Sequence, residues 1–344
     1  RPRARMTGVA ILGSGFMART HAAAWAAHAD RAAVRVVASR TQAGAAAVAE
    51  GCGADATDDL AAAIARDDVQ VVDICLPTSL HRPWAEAAFA AGKDVLLEKP
   101  IALDPADAEA IIAARDASGR RLLVGLVLRF WPEYEELHAL AAEGAIGAVR
   151  SVSALRLSAP PDWNTWMIDP AQSGGAAVDL MVHDFDQVAM LLGEPLRVHA
   201  GAVPGGLHGA PQHVVATVTC ERGTGVVEGG LLLPPSYPFT SGIRVLGDAG
   251  VLEYPFSAGA SEDGGNIGGV DQSANALTRY PAAGDAARVD VASGDPWARQ
   301  CAYLLDRIAA DAPVDRATGE DALRALRIAL AANRSIASGA AEVV

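Results

Sequence analysis

Residues Gly8–His28 read GVAILGSGFMARTHAAAWAAH: an apolar run, a glycine-containing turn and an alanine-rich stretch. The run suits a buried strand and the stretch suits a helix. Gly13, Gly15 and Ala18 fit the spacing G-x-G-x-x-G/A. Gly13 permits a tight turn, Gly15 lets a pyrophosphate approach the backbone, and small Ala18 lets helix and strand pack closely. The helix start then offers N–H groups to the phosphates. Alone, this motif is weak. It gains weight from the rhythm that follows: strand 34–39, helix 41–50, strand 69–76, helix 82–91, strand 94–98, helix 105–117 and strand 121–128. Apolar strands alternating with helices predict a parallel sheet covered on both faces.

The bulk composition narrows the function classes. The chain has 344 residues and 51% hydrophobic content, enough for two domains with real cores. Its net charge of −13 argues against nucleic-acid and anionic-membrane partners. The four cysteines, Cys52, Cys75, Cys220 and Cys301, form no CxxC pair. That excludes a disulfide framework and a zinc signature, and it suits a reducing cytoplasm. No apolar run reaches the ~18 residues of a membrane helix. The opening RPRARMTGVAILGSG faintly resembles a signal peptide, but its apolar part is better used as the first strand. Met6 is a candidate native start, which leaves the origin of residues 1–5 open.

The second strand ends VVASRT. An NAD site usually carries an acid here for the ribose 2′-hydroxyl. Ser39 and Arg40 stand there instead, so NADP is favoured over NAD. Of the 28 basic residues only Lys93 and Lys99 are lysines. A surviving lysine is a candidate for a task arginine cannot perform, because its amine can exchange a proton. Lys93, beside a turn glycine, reads as chance. Lys99 lies in EKP at the end of strand 94–98, on the ligand-binding edge of such a sheet, as does LPTSLH after strand 69–76.

After Arg129 the rhythm changes to strand-like runs at 149–157, 197–203, 213–220, 224–232, 243–247 and 250–254. The expected fold is therefore α/β, with an N-terminal Rossmann dinucleotide-binding domain over 6–128. A C-terminal α+β domain with an open, largely antiparallel sheet follows over 129–340. Residues 257–295 read as a long irregular excursion. Helices 295–310 and 319–338 are expected to close the second domain, the last packing back on the first. Within SGGAAVDLMVHDFDQVAMLLG, Ser173–Gly193, apolar residues recur at helical spacing and predict one helix over 176–192. Asp179, His183 and Asp186 fall at i, i+4 and i+7 on one strip of it. A metal there is conceivable on spacing, but no further ligand cluster supports one, so no metal is expected.

At this point the chain resembles the Gfo/Idh/MocA oxidoreductases, which include glucose-fructose oxidoreductase and the inositol dehydrogenases. The resemblance rests on GSGFMARTH, LPTSLHRPWAEAAFAAGKDVLLEKPIA, RFWPEY, SGGAAVDLMVHDFD and TGEDALRALRIALAANRSIASG. It implies hydride transfer between nicotinamide and a secondary alcohol or ketone of a sugar, inositol or related polyol, in a homo-oligomer. It makes Lys99, Asp179 and His183 the catalytic candidates, His183 as base and Lys99 on the reacting oxygen. The expected cofactor contacts are Gly13, Gly15, Phe16, Met17, Ala18, Ser39, Arg40, Pro77, Thr78, His81, Glu98 and Lys99. His81 either lines the nicotinamide pocket or caps the next helix. Substrate contacts are expected from Lys99, Arg129, Asp179 and His183, and from Trp163 and Trp166 in APPDWNTWMIDP. Two alternatives use the same fold: a glycosidase that retains its NAD, and a nucleotide-sensing regulator without catalysis.

Overall fold

The computed structural model describes residues 6–160, 169–203, 211–258 and 275–344. They fall into two compact units, Arg1–Trp131 with Gly294–Leu323, and Pro132–Ser293 with Arg324–Val344.

The first unit alternates strand and helix. Its elements are β1 (Thr7–Leu12), α1 (Phe16–Ala26), β2 (Ala32–Ala38), α2 (Gln42–Cys52), β3 (Asp55–Thr57), α3 (Leu60–Ala65), β4 (Val71–Ile74), α4 (His81–Ala90), β5 (Asp94–Leu97), α5 (Pro105–Ser118) and β6 (Leu122–Val124). All pairs are parallel, in the order β3-β2-β1-β4-β5-β6. Every residue of β1, β4, β5 and β6 is buried, as continuous apolar runs in a doubly covered sheet require. β3 and α3 are additions to the predicted rhythm. The predicted strand 121–128 is shorter, because a 3-10 turn over Val127–Phe130 follows β6.

The second unit opens with α6 (Pro132–Ala142) and β7 (Val149–Leu157). Then come α7 (Pro170–Ser173), α8 (Gly175–Asp179) and α9 (Val182–Leu192). Strands β8 (Pro195–Ala202), β9 (His213–Cys220), β10 (Gly223–Gly230), β11 (Phe239–Gly247), β12 (Gly250–Ala258), β13 (Thr278–Pro281) and β14 (Ala287–Arg288) follow. The sheet order is β14-β13-β12-β11-β7-β10-β9-β8-β15, with β15 at Glu342–Val343. Among the described residues of this sheet, only the β7–β10 pair is parallel. β9 alternates buried and exposed residues, the mark of a sheet with one covered face. α9 covers part of it closely: a Cβ on Gly225 of β10 would lie 2.5 Å from Val188 Cγ1.

α10 (Pro296–Ala309) belongs to the first unit, not to the second as the sequence suggested. It lies against α1, where Arg31 pairs with Asp306 at 2.6 Å and His28 Nε2 meets Ala298 O at 2.7 Å. The last helix, α11 (Gly319–Ser338), divides between the units after Leu323. Of the expected excursion over 257–295, β12 extends to Ala258 and β13 and β14 add two short strands. Residues 259–274 lie outside the described part.

Candidate active site

In the first unit the glycine turn is built as its spacing implies. Gly13 has φ +129°, and a Cβ there would lie 2.3 Å from Cys75 O. Its N–H donates to Ala38 O at the end of β2 at 2.8 Å, which ties the turn to the neighbouring strand. Gly15 is the N-cap of α1, and no atom lies within 4 Å of where its Cβ would be. Phe16 and Met17, half-buried, begin the helix, and Ala18 is fully buried against the sheet.

The starts of α1 and α4 differ from those of α2, α3 and α5 in one respect. α2, α3 and α5 are capped by the side chains of Thr41, Asp59 and Asp104, which accept from Gly44, Ala62 and Ala106 N–H. α1 has no side-chain cap and no acid in its first turn. The start of α1, directly behind the glycine turn, offers a positive dipole end that suits a dinucleotide pyrophosphate.

At the end of β2, Ser39 is buried and Arg40 exposed. Ser39 Oγ donates to Thr41 O at 2.9 Å. A Cβ on Gly44 would meet the hydroxyl oxygens of Ser14, Thr41 and Ser39 at 2.9, 2.9 and 3.1 Å. Three hydroxyls thus gather around Gly44, with Arg40 next to them in sequence.

Pro77 and Thr78 follow β4, Pro77 half-buried and Thr78 buried. His81 is wholly buried at the first position of α4. Its Nδ1 faces Pro100 O and its Nε2 faces Leu76 O, both at 2.9 Å. Burial pushes its imidazole below the ordinary value. Its ring ties the loop after β4 to the loop after β5, a role neither sequence alternative included. Lys99 is half-buried, with its N–H donating to Glu98 Oε2 at 3.1 Å, and the Lys99–Pro100 peptide is cis. Lys93 is structural: its ammonium donates to Arg66 O and Val69 O at 2.9 and 2.7 Å.

Sequence reasoning missed a polar cluster beneath this edge. His21 of α1 has Nδ1 2.9 Å from Asp73 Oδ1 and Nε2 3.0 Å from Glu98 Oε1, and is fully buried. Trp25 Nε1 donates to Asp73 Oδ2 at 2.7 Å. The signal was present: an acid inside the buried run VVDI, and a histidine in an alanine-rich helix. His21, Asp73 and Cys75 bring possible ligand atoms within 4.8 Å of one another. They are engaged with each other, with Trp25 and with Glu98, which leaves a poor cage for an ion.

Arg129 was expected to touch substrate. The structure buries it at 6% exposure and pairs its guanidinium with Asp321 at 2.8 Å, so its charge is neutralised within the first unit.

In the second unit the predicted single helix is interrupted. α8 ends at Asp179, Leu180 and Met181 form a turn, and α9 begins at Val182. Leu180 and Met181 N–H both reach Ala176 O at 3.0 Å, and Asp184 and Phe185 N–H both reach Met181 O at 2.9 Å. The first pair widens the turn and the second restarts the helix. Asp179 and His183 therefore stand on opposite sides of a break, not on one continuous i, i+4 strip. Such local widening is common at functional sites. Asp179 is buried and His183 half-buried. The next residue, Asp184, is held by Arg156 of β7 through bonds of 2.8 and 3.1 Å. Asp186 is buried and accepts from Gln187 Nε2 at 3.4 Å, while His138 Nε2 meets Gln187 Oε1 at 2.6 Å. Trp163 and Trp166 lie outside the described residues.

The fold and the glycine turn define a dinucleotide-binding oxidoreductase architecture, and comparison with known proteins agrees. The description "Oxidoreductase family, NAD-binding Rossmann fold" (GFO_IDH_MocA) matches residues 7–126, and the GFO/IDH/MocA C-terminal domain matches 134–253. The chain is similar to myo-inositol dehydrogenase Hyg17 of Streptomyces leeuwenhoekii, 32% identical over 77% of this chain and 78% of the relative. It is also similar to a dTDP-3,4-didehydro-2,6-dideoxy-alpha-D-glucose 3-reductase of Streptomyces violaceoruber, 32% identical over 63% of each chain. It thus spans less than two thirds of that reductase, and 41% of a further curated oxidoreductase. Among solved structures, the aldose-aldose oxidoreductase of Caulobacter crescentus complexed with glycerol superposes with a TM-score of 0.85. That match has 25% identity and covers 99% of this chain and 100% of the other. The chain belongs to the Gfo/Idh/MocA oxidoreductase family.

Proposed function

We propose that the protein is an NAD(P)-dependent dehydrogenase or reductase acting on a secondary alcohol or ketone of an inositol, sugar or related polyol. The observation that carries this reading is the uncapped start of α1 above the glycine turn, on the same sheet edge as Lys99. A pyrophosphate site at that turn and a lysine on the same sheet edge are what cofactor-dependent alcohol chemistry requires. The nicotinamide supplies or accepts the hydride. The chain's own residues handle the proton and the oxygen. Lys99 hydrogen-bonds the reacting oxygen and stabilises the charge that develops there. His183 takes the hydroxyl proton during oxidation and returns it during reduction. Asp179 orients the substrate or the imidazole. Names of relatives that act on inositol and sugars support the polyol class.

The same reading favours NADP. The end of β2 offers Arg40 and a group of hydroxyls, and no carboxylate stands among Ser39, Arg40, Thr41 and Gln42. The proposal extends to a cytoplasmic homo-oligomer, in line with four cysteines that form no CxxC pair. Among the described residues no helix is long and apolar enough to cross a membrane.

The test is a panel of inositols, aldoses, sugar acids and glycosides, each with NAD and NADP, followed by the absorbance of reduced nicotinamide and by release of free sugar. The proposal expects net cofactor reduction with at least one polyol, faster with NADP. Glycoside hydrolysis without net reduction would establish the cofactor-retaining alternative. Cofactor binding with no turnover on any substrate would favour the sensing alternative.

A further inference from the structure

His21 sits where an uncharged imidazole fits poorly. It is fully buried, and its ring nitrogens lie about one hydrogen-bond length from two carboxylates, Asp73 in β4 and Glu98 just after β5. A neutral ring carries one N–H. It would satisfy Asp73 or Glu98 and turn a lone pair on the other. A doubly protonated ring presents a proton to both, and two buried carboxylates flanking one cation leave fewer charges uncompensated. The contact with Glu98 is an ion pair at 3.0 Å, out of line for a full hydrogen bond. Burial pulls His21 towards the neutral form, but the Asp73 carboxylate beside it outweighs that pull, and the imidazole is raised well above its ordinary value. The other titratable group near it is the buried thiol of Cys301 in α10, which burial keeps protonated.

Glu98 carries this arrangement to the surface edge. One oxygen faces His21, and the other accepts the N–H of Lys99 at 3.1 Å. Gly125 makes the seat, since a Cβ there would lie 2.9 Å from Glu98 Oε1. The Glu98 N–H is itself fixed on Ile74 O at 3.0 Å. Asp73, His21, Glu98 and the Lys99 backbone thus form one connected line running from the centre of β4 to the loop after β5.

We propose that His21, held as an imidazolium between Asp73 and Glu98, is the positioning residue for Lys99: it orients the Glu98 carboxylate, and Glu98 fixes the backbone from which the lysine amine reaches the reacting oxygen. This rests on the reading of Lys99 given above. His21 touches neither substrate nor cofactor in this role.

The first test uses the wild-type holoenzyme with ¹⁵N-labelled histidine. At about pH 8, where an ordinary histidine is neutral, both ring nitrogens of His21 should give protonated shifts. A neutral ring overturns the proposal. The second test is a double-mutant cycle with His21→Gln, Lys99→Met and the double variant, reading kcat, KM and cofactor Kd. His21→Gln should lower kcat about tenfold or more with Kd and KM nearly unchanged. In the Lys99→Met background it should lower kcat no further. Multiplying effects, or a Kd that worsens with kcat, mean general structural damage and overturn the proposal. Full activity of Lys99→Met overturns the reading of Lys99 and this inference with it. A slow Lys99→Met beside a fully active His21→Gln overturns this inference alone. Should His21→Gln not fold, His21→Asn takes its place in the cycle with the same expectations.

Discussion

Arg40 stands two residues after β2 and is exposed, and no acid stands among its sequence neighbours Ser39, Thr41 and Gln42. A 2′-phosphate there gains charge-assisted bonds that a 2′-hydroxyl cannot form. Arg40→Ala should weaken NADP binding by about tenfold or more and leave NAD nearly unchanged. Titration by nicotinamide fluorescence checks this, and equal losses for both cofactors would refute it. The chain's two lysines separate in the structure. Lys93 uses its compact ammonium on two backbone carbonyls, a fit the larger planar guanidinium cannot copy. Lys99 ends at the ligand-binding edge. Lys99→Arg keeps the charge but loses an amine able to move a proton, so kcat should fall about 10²-fold with cofactor still bound. Lys93→Arg should instead lower thermal stability and leave kcat close to wild type. Equal turnover in both variants would remove Lys99 from the chemistry.

The break between α8 and α9 shows how an element is shaped by what lies beneath it. Met181 is the residue at the turn, and β10 passes under it so closely that a Cβ on Gly229 would lie 2.1 Å from Met181 Cγ. Gly229→Ala must displace Met181, and overpacking of this kind costs about 1–3 kcal/mol. It should also lower turnover, because Asp179 and His183 flank the displaced turn. Met181→Ala makes room, so the double variant should recover part of the melting temperature. Gly201→Ala, with open space around it, is the neutral control. Additive losses in the double variant would show that the two side chains do not meet. Periodicity could not reveal this break, since residues 176–192 keep a helical apolar pattern across it and the interruption comes from a strand far along the chain. The glycine turn, the β–α alternation and the EKP loop were legible because each is encoded within a short window. β3 and α3 were not, because DAT and LAAAIA carry neither a long apolar run nor a clear period. The parallel β7–β10 pair and the Asp73–His21–Glu98 line join residues far apart in sequence. Their only local traces are an acid in VVDI and a histidine in α1.

At the scale of the whole molecule, the titrating groups set the pH range in which the first unit holds together. Glu320 is held below its ordinary value chiefly by Arg115, and Asp68 by Arg66. Each contributes stability above its unfolded value, lost as pH falls, but both pairs are partly exposed and such pairs contribute little. His21 is different because it is buried between two carboxylates. Its folded value is raised above the unfolded 6.5, although burial, the largest single cause, acts to lower it. A group raised on folding contributes stability that is fully present below the unfolded value and is lost as pH rises through the folded one. The alkaline limb of the stability curve should therefore belong to His21. Melting temperature measured from about pH 6 to pH 10 should fall towards high pH in the wild type. In His21→Gln it should start lower and vary less, because no proton links that site to folding. A wild-type curve that stays flat across this range, or an equal slope in the variant, would mean His21 is neutral in the folded protein. Asp73 and Glu98 would then keep their charges without a cation between them. The two carboxylates, not the imidazole, would have to account for how the loop bearing Lys99 is held.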